Sequence, residues 1–452
     1  MSNPISRLSP AQILVGSFAA LILLGAVALW LPLMQGPRPV SFLDCLFTST
    51  SAVCVTGLIT VDTAAAWSLW GKAFIALLIQ AGGLGIMTFS MAMIYLAGRK
   101  PSVRSHLALR GALGPVPAQE IGALARDVLL YTMVIETAGF LALWARFSLE
   151  MDWAAAAGVA GFHAVSAFCN AGFSTFSNNL ESYPADPTIN LVIMALVVLG
   201  GLGFVVLREA RAWLAAALRR ARRPRLSLHT RTVLITTAAL ILAGAALLFL
   251  LEWLSNGGVA WRGSFWPVIF AAVTPRTAGF NTIPMADLSN GSLLLTILLM
   301  FVGGSPGSCA GGIKTTTLAT LVALARSRLH GHGAVSLGRR DLPAAQEGEA
   351  TTLTLGSTLV VCLAVMFLVS LGGNWVGHDR ADLLNYAFEA VSAFGTVGLS
   401  MGITDALRPQ AKVILVLLMF IGRLGPLTLI FLLAERYSPR RYKLAEERIM
   451  LG

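Results

Sequence analysis

Four short stretches of this chain share one pattern. Ser51–Gly57 reads S-A-V-C-V-T-G and Ser166–Gly172 reads S-A-F-C-N-A-G; Val273–Gly279 reads V-T-P-R-T-A-G and Ser392–Gly398 reads S-A-F-G-T-V-G. Each closes on a glycine followed by Leu or Phe, and the closing glycines lie 115, 107 and 119 residues apart. Glycine takes left-handed backbone angles at no steric cost, so Gly57, Gly172, Gly279 and Gly398 can turn carbonyls toward a common axis. The two residues before each glycine supply further carbonyls: Val55 and Thr56, Asn170 and Ala171, Thr277 and Ala278, Thr396 and Val397. No Asp or Glu occurs in any heptad. Rings of neutral carbonyls replace the hydration shell of a monovalent cation, whereas divalent ions call for carboxylates and anions for Lys or Arg. The plainer reading is four glycines that pack helix ends, and the in-register recurrence weighs against it.

A second landmark lies 24 to 28 residues beyond each glycine. It reads G-G-L-G at Gly82–Gly85 and Gly200–Gly203, G-G-S-P at Gly303–Pro306 and G-R-L-G at Gly422–Gly425. The first two are expected to be packing glycines in unbroken helices. The third interrupts its helix, with Gly303, Gly304, Ser305, Gly307, Gly311, Gly312 and Lys314 forming a flexible small-residue loop. A phosphate loop is excluded there, because Ile313 separates Gly312 from Lys314 and no strand precedes it. Arg423 in the fourth is a charge inside an apolar helix; such a charge usually faces a cavity, as a barrier or beside a carboxylate. Arg276 inside a heptad would oppose cations unless neutralised, so it is expected to turn behind the carbonyls and pair with Glu389 or another acid. Glu136 and His163 read as structural hydrogen-bonding and packing residues.

The elements that must position these groups are apolar helices. Of 452 residues, 56% are hydrophobic and 12% charged, against about 25% charged in soluble domains. Long apolar segments flank each heptad: Ala11–Leu33 and Trp67–Leu96, Asp127–Phe147 and Ile189–Leu207, Thr232–Trp253 and Ser292–Ala325, Thr352–Leu371 and Val413–Leu433. The expected fold is an all-α membrane protein of four tandem helix–pore-loop–helix repeats around a central pore, with eight transmembrane helices and four re-entrant loops. The repeats span 1–96, 97–208, 209–325 and 326–452, the last with the C-terminal tail. Five scattered cysteines carry no metal-ligand spacing, and no disulfide framework or resident metal is expected.

Lys and Arg number 33 against 22 Asp and Glu, a net +11. Nucleic acid is not the implied partner, because the basic residues gather in alternate loops: Arg99–Arg126, Arg208–Arg231, Arg326–Arg340 and Arg436–Arg448. Positive loops stay in the cytoplasm, which puts both termini inside and the heptads outside-facing. The Arg219–Arg225 cluster is also a candidate contact for anionic lipid or a partner protein.

With S-A-V-C-V-T-G-L, C-N-A-G-F-S, T-P-R-T-A-G-F-N-T and F-E-A-V-S-A-F-G-T-V-G-L-S in order, the chain resembles the Trk/Ktr/HKT potassium transporter superfamily. G-G-S-P-G-S-C-A-G-G-I-K-T, G-R-L-G-P and the closing E-E-R-I-M-L-G add to the likeness, which is nearest to its KtrB-type membrane subunits. The resemblance implies K+ uptake across the bacterial cytoplasmic membrane, the four heptads as a selectivity filter, and Gly303–Lys314 with Arg423 as an intramembrane gate. It also implies a homodimer, a cytosolic nucleotide-binding ring of KtrA or TrkA type that holds the nucleotide, and Na+ as a candidate activator. No cofactor is expected in this chain, and no enzymatic turnover: only Ser308 with Lys314 offers a nucleophile–base pair, and nothing orients it. An alternating-access cation symporter is the alternative, disfavoured because the repeats share one orientation. The charge pattern makes a prediction of its own. Cysteines placed at Arg104 or Arg222 are expected to resist an impermeant label in intact cells and to react after lysis; labelling of both in intact cells overturns the topology.

Overall fold

The computed structural model describes residues 10–85, 121–222, 224–256, 261, 263–331, 333–338, 340–371 and 381–425. The segments expected beyond Gly85 and Gly425, the basic stretch Arg99–Arg110 and the tail Glu446–Gly452 lie outside the described residues. Among the described residues the chain is mainly helical. Before the first heptad come α1 (Pro10–Leu29) and the short α2 (Phe42–Val53), and after it α3 (Thr63–Ala66) and α4 (Leu69–Gly83). The second heptad stands between α5 (Ile121–Phe147), α6 (Trp153–Phe168) and α7 (Pro187–Leu202), with α8 (Phe204–Leu218) following. Around the third are α9 (Leu228–Asn256), α10 (Trp266–Val273), α11 (Asn290–Phe301) and α12 (Thr315–Leu329). A two-residue hairpin, β1 (Ser336–Leu337) with β2 (Arg340–Asp341), leads to α13 (Ala344–Leu371), α14 (Ala381–Gly395) and α15 (Pro409–Leu424).

Local sequence sets the starts. The side chains of Ser41, Ser68, Asp152, Asp186 and Ser289 each accept a backbone N–H of the first turn, and apolar runs follow. Glycine sets the stops. Among the described residues three continuous helices are long and apolar enough to cross a bilayer, Arg126–Phe147, Leu228–Ser255 and Ala344–Leu371. The helices after the heptads are shorter: α4 has 15 residues, α7 has 16, α11 has 12 and α15 has 16. Each ends at its glycine-rich landmark, and Gly85, Gly203 and Gly425 there have φ of 73°, 90° and 79°.

This corrects the expectation of an unbroken helix over Ile189–Leu207. The chain turns by 107° at Gly203, between α7 and α8. The glycine adopts a left-handed angle that no L side chain takes cheaply, so α7 cannot continue.

The four heptads are brought together by a closed cycle of packing. The helix that follows each heptad packs on the short helix of the next: α4 on α6, α7 on α10, α11 on α14, and α15 back on α2. Ion pairs and hydrogen bonds stitch the seams. Lys412 Nζ meets Asp44 Oδ1 at 3.0 Å, and Leu180 N donates to Asn281 O at 3.1 Å. The fully buried Phe168, Phe280, Phe388 and Phe394 fill the space between the short helices.

Three landmark glycines also hold each turn together from within. A methyl built on Gly82 would stand 2.7 Å from the carbonyl carbon of Val53, one on Gly200 3.0 Å from that of Phe168, and one on Gly422 2.8 Å from that of Phe394. The Cα of each glycine thus rests on the last turn of the short helix before it. Ala in a helix interior is ordinarily worth about 1 kcal/mol over Gly, but overpacking a tight contact costs roughly 1–3 kcal/mol. Gly82→Ala, Gly200→Ala and Gly422→Ala are expected to lower the unfolding temperature in detergent. Gly356→Ala, in open space on α13, is expected to hold or raise it. Equal stability of Gly422→Ala and Gly356→Ala would contradict the close approach.

Candidate cation pathway

Each heptad leaves the C-terminus of a short helix, so four negative dipole ends face the place where the heptads meet, which favours a cation. Six non-glycine residues among those described have positive φ. Four of them occupy one heptad position: Val55 (57°), Asn170 (61°), Thr277 (69°) and Thr396 (51°). Three of these are β-branched, for which left-handed backbone is a real strain. Two residues later Gly57, Gly172, Gly279 and Gly398 are left-handed again, at 95°, 67°, 74° and 91°.

The glycines form a ring. A methyl on Gly172 would lie 2.7 Å from Gly279 Cα and 2.9 Å from the Ala278 oxygen, and one on Gly279 2.6 Å from the Val397 oxygen. In the same sense Gly57 backs onto the Ala171 carbonyl and Gly398 onto the Thr56 carbonyl. Every glycine therefore abuts the pre-glycine carbonyl of the next heptad. Hydroxyls hold two turns from behind, Ser51 Oγ accepting Gly57 N at 3.0 Å and Ser392 Oγ accepting Gly398 N at 3.1 Å. In the second, Ser166 Oγ donates to Phe173 O at 2.8 Å. The third has Val273 at that position, and Thr274 donates to Phe280 O instead.

Arg276 and Glu389 do not meet, contrary to expectation. Arg276 is buried and points away from the ring, its Nη2 donating to Thr237 Oγ1 on α9 at 3.3 Å. The Glu389 carboxylate is spent on its own loop, accepting from Ser400 Oγ, Met401 N and Thr404 Oγ1. Those three donors lie just past Gly398, so the acid braces the exit of the fourth heptad. Among the described residues Arg276 makes no ion pair. His163 bridges Val159 O and Ser174 Oγ within a cluster of Phe rings, and Glu136 accepts from Gln80 Nε2 at 3.2 Å, as read from the sequence.

Against one side of the ring lies the stretch 302–314. A methyl on Gly303 would stand 3.3 Å from Thr277 Cγ2, one on Gly311 3.0 Å from Thr396 Cγ2, and one on Gly312 3.4 Å from Gly395 Cα. The stretch closes on itself through Gly303 N to Ile313 O (2.9 Å) and Thr315 N to Gly304 O (3.0 Å). It is also tied sideways to the end of α7, Ser305 N donating to Gly201 O at 3.0 Å and Cys309 N to Gly200 O at 3.2 Å. Phe204 N, just past the Gly203 break, donates to Gly307 O at 3.1 Å. Lys314 Nζ caps the Ala310 oxygen at 2.6 Å. Arg423 reaches in from α15 and donates to Cys309 O and to Gly82 O, with Gly83 O at 3.4 Å. One guanidinium thus joins the broken stretch, the end of α4 and the end of α15.

Sequence reasoning placed both cations at this level but missed the tether to Gly200 and Gly201. The trailing glycine shared by Gly85, Gly203 and Gly425 was the available signal: it follows the end of a helix in each case, where the apolar context suggested helix packing.

The TrkH family, described as cation transport protein, matches residues 3–440. The chain is 36% identical over 433 residues to the Ktr system potassium uptake protein B of Bacillus subtilis, covering 95% of this chain and 94% of that one. It is also 36% identical over 453 residues to the potassium/sodium uptake protein NtpJ of Enterococcus hirae, covering 99% and 98%. Among solved structures, the potassium transporter TrkH of Vibrio parahaemolyticus superposes with a TM-score of 0.73 at 20% identity, covering 97% of this chain and 87% of that one. The fold is therefore that of a known ion transporter, and the sequence match spans both the ring and the stretch beneath it. The chain belongs to the TrkH family of cation transport proteins.

Proposed function

We propose that this chain is the ion-translocating subunit of a K+-uptake system in the bacterial cytoplasmic membrane. Four helix–pore-loop–helix repeats surround one pore, with eight spanning helices, four re-entrant loops and both termini in the cytoplasm. The observation that carries the reading is the closed ring of left-handed glycines, each against its neighbour's carbonyl. Such a ring offers oxygen dipoles and no net charge, which suits a monovalent cation that sheds its water. Val55–Gly57, Asn170–Gly172, Thr277–Gly279 and Thr396–Gly398 act as the filter, with Arg276 and Glu389 as supports behind it.

Below the filter, Gly303, Gly304, Ser305, Gly307, Gly311, Gly312, Lys314 and Arg423 form the gate. Two positive charges there, Lys314 on the movable stretch and Arg423 fixed on α15, oppose a cation by on the order of 4 kcal/mol at ~4 Å and an effective dielectric of 20, or roughly three decades of occupancy. The glycine-rich stretch can lift its share of that barrier. The relatives named for a Ktr system support a partner regulatory subunit; in this reading the chain is a homodimer and that partner is a cytosolic nucleotide-binding ring of KtrA or TrkA type, which carries the nucleotide. Na+ is the candidate activator, a reading in keeping with a relative named for potassium and sodium uptake. Anionic lipid contacts the basic cytoplasmic face. An alternating-access symporter finds less support, since the ring binds from all four sides at once.

Radiolabelled Rb+ uptake into proteoliposomes of the purified protein tests the function, with K+, Na+ and Li+ as competitors. Saturable uptake that K+ competes best is expected; no uptake, or equal competition by all three, refutes K+ translocation. Replacing Gly57, Gly172, Gly279 or Gly398 by Ser is expected to lower K+ over Na+ discrimination with the fold retained. Each loss of about 1.4 kcal/mol in differential coordination lowers it about tenfold. Unchanged selectivity in all four variants removes the filter assignment. Arg423→Ala, and deletion within 307–311, are expected to raise flux up to tenfold or more, to weaken dependence on the ring and to leave selectivity intact. A fall in flux in both folded variants places the gate elsewhere.

A further inference from the structure

The four glycines of the ring are not held alike. Ser51 and Ser392 hold the amides of Gly57 and Gly398, whereas Val273 stands at that place in the third heptad. Gly279 is held at its oxygen, and from another unit: Asn179 Nδ2 donates to Gly279 O at 3.3 Å. Asn179 lies seven residues past Gly172, in the turn that follows the second heptad. Its φ of 55° makes it one of the six left-handed non-glycine residues among those described, four of which sit in the heptads. Asn tolerates that angle better than most side chains.

Hydrogen bonds lock this turn from both sides. His163 Nδ1 faces Val159 O, which can only accept, at 2.8 Å, so Nδ1 carries the ring hydrogen and Nε2 of the neutral ring accepts from Ser174 Oγ at 3.0 Å. Ser174 Oγ in turn accepts Phe176 N at 3.0 Å, and Phe176 O accepts Asn179 N at 3.1 Å. The next residue crosses to the third unit. Leu180 N donates to Asn281 O at 3.1 Å, and Asn281 Nδ2 donates to Glu181 Oε1 at 2.6 Å. The Asn179 amide is therefore aimed by a chain of bonds that starts on α6 and closes two residues past Gly279. Asn179 Oδ1 is buried and has no hydrogen-bond partner among the described residues. A buried acceptor left unmade is costly, so packing does not account for an amide here; its N–H does.

We propose that Asn179 is a positioning residue that sets the ion discrimination of the ring by fixing the Gly279 carbonyl. The inference rests on the reading of the ring as a filter. A carbonyl oxygen has two lone pairs, so one can take the Asn179 N–H while the other faces an ion. Carbonyls free to tilt can close in on the smaller Na+ and replace its hydration shell. A carbonyl tied to a locked turn cannot follow, and K+ asks for no such movement. Gly279 passes the restraint on, because a methyl there would stand 2.9 Å from Gly172 Cα and 3.3 Å from Gly398 Cα. The third glycine moves only with its neighbours on both sides.

Two variants separate the amide from the turn. Asn179→Gly keeps the left-handed backbone at no steric cost and removes the donor. Asn179→Asp keeps one oxygen and replaces the N–H by a second acceptor. Asn178→Gly is the control: Asn178 is exposed in the same turn and donates to Ser182 Oγ at 2.8 Å. Ion binding is read without transport, as the rise in unfolding temperature of the full-length protein in detergent with K+ or Na+, choline holding the ionic strength constant. The parent is expected to reach half its rise at a lower concentration of K+ than of Na+. In both Asn179 variants the ratio of the two concentrations is expected to fall about two- to tenfold, the change that one neutral hydrogen bond carries. In Asn178→Gly it is expected to stay. K+ over Na+ competition in Rb+ uptake is expected to fall in parallel. A residue that merely held the turn together would lower the ion-free unfolding temperature and leave the ratio alone. A parent-like ratio in both Asn179 variants, an equal fall in Asn178→Gly, or a parent that binds the two ions alike overturns the inference. The expected binding ratios without any uptake leave the inference standing and overturn the transport reading instead.

Discussion

Four backbones approach one another more closely than any side chain permits, and the rest of the molecule follows from that contact. Gly57, Gly172, Gly279 and Gly398 each leave no room for a methyl against the neighbour's carbonyl. To deliver them, the chain accepts left-handed angles at Val55, Asn170, Thr277 and Thr396, each of which costs on the order of 1–3 kcal/mol. Such strain survives only where the surroundings leave the chain no alternative. The cyclic packing of α4 on α6, α7 on α10, α11 on α14 and α15 on α2 supplies that constraint. Serine hydroxyls at Ser51 and Ser392 then fix the glycine amides from behind.

The parts of this arrangement that rest on backbone freedom were legible in the sequence. A glycine that must be left-handed leaves its mark at a fixed position, so the four heptads could be aligned by eye, and so could the interruption at Gly303–Gly312. The turn at Gly203 was not. Its G-L-G context is equally good for close helix packing, and Gly200 does pack that way; only the φ of Gly203 separates the two roles. Partner choice was the least legible. Pairing Arg276 with Glu389 followed from charge alone, yet Glu389 finds three donors within sixteen residues of itself. A local hydrogen-bonding loop outcompetes a distant ion pair that would need two buried charges brought together.

The four heptads are alike in backbone and unlike in support, and the difference is concentrated in the third. It alone replaces the leading Ser by Val273, carries Arg276, and is followed by a helix that ends after 12 residues. Its glycine-rich continuation lies against Thr277 and Thr396 but is held by carbonyls of the second unit and by the guanidinium of the fourth. Fourfold symmetry at the ring thus coexists with a single asymmetric crossing beneath it. For the gate we propose, one crossing would be sufficient to close a path and would leave only one element to be moved in opening it.

Arg423 makes that movement conditional. The carbonyls of Gly82 and Gly83 belong to the last turn of α4, where the final oxygens lack the usual i+4 donors and Gly82 O receives the Gly85 amide at 3.0 Å instead. Arg423 supplies donors to them and to Cys309 O at once. Lifting the stretch 302–314 away would strand part of a buried guanidinium, at a penalty of about 1–3 kcal/mol or more for each unsatisfied charged group. Water entering from below relieves that penalty, because it can replace the lost carbonyl. In the gating role we propose, opening of the stretch and wetting of the space beneath it are therefore one event, with the arginine as the group that would couple them.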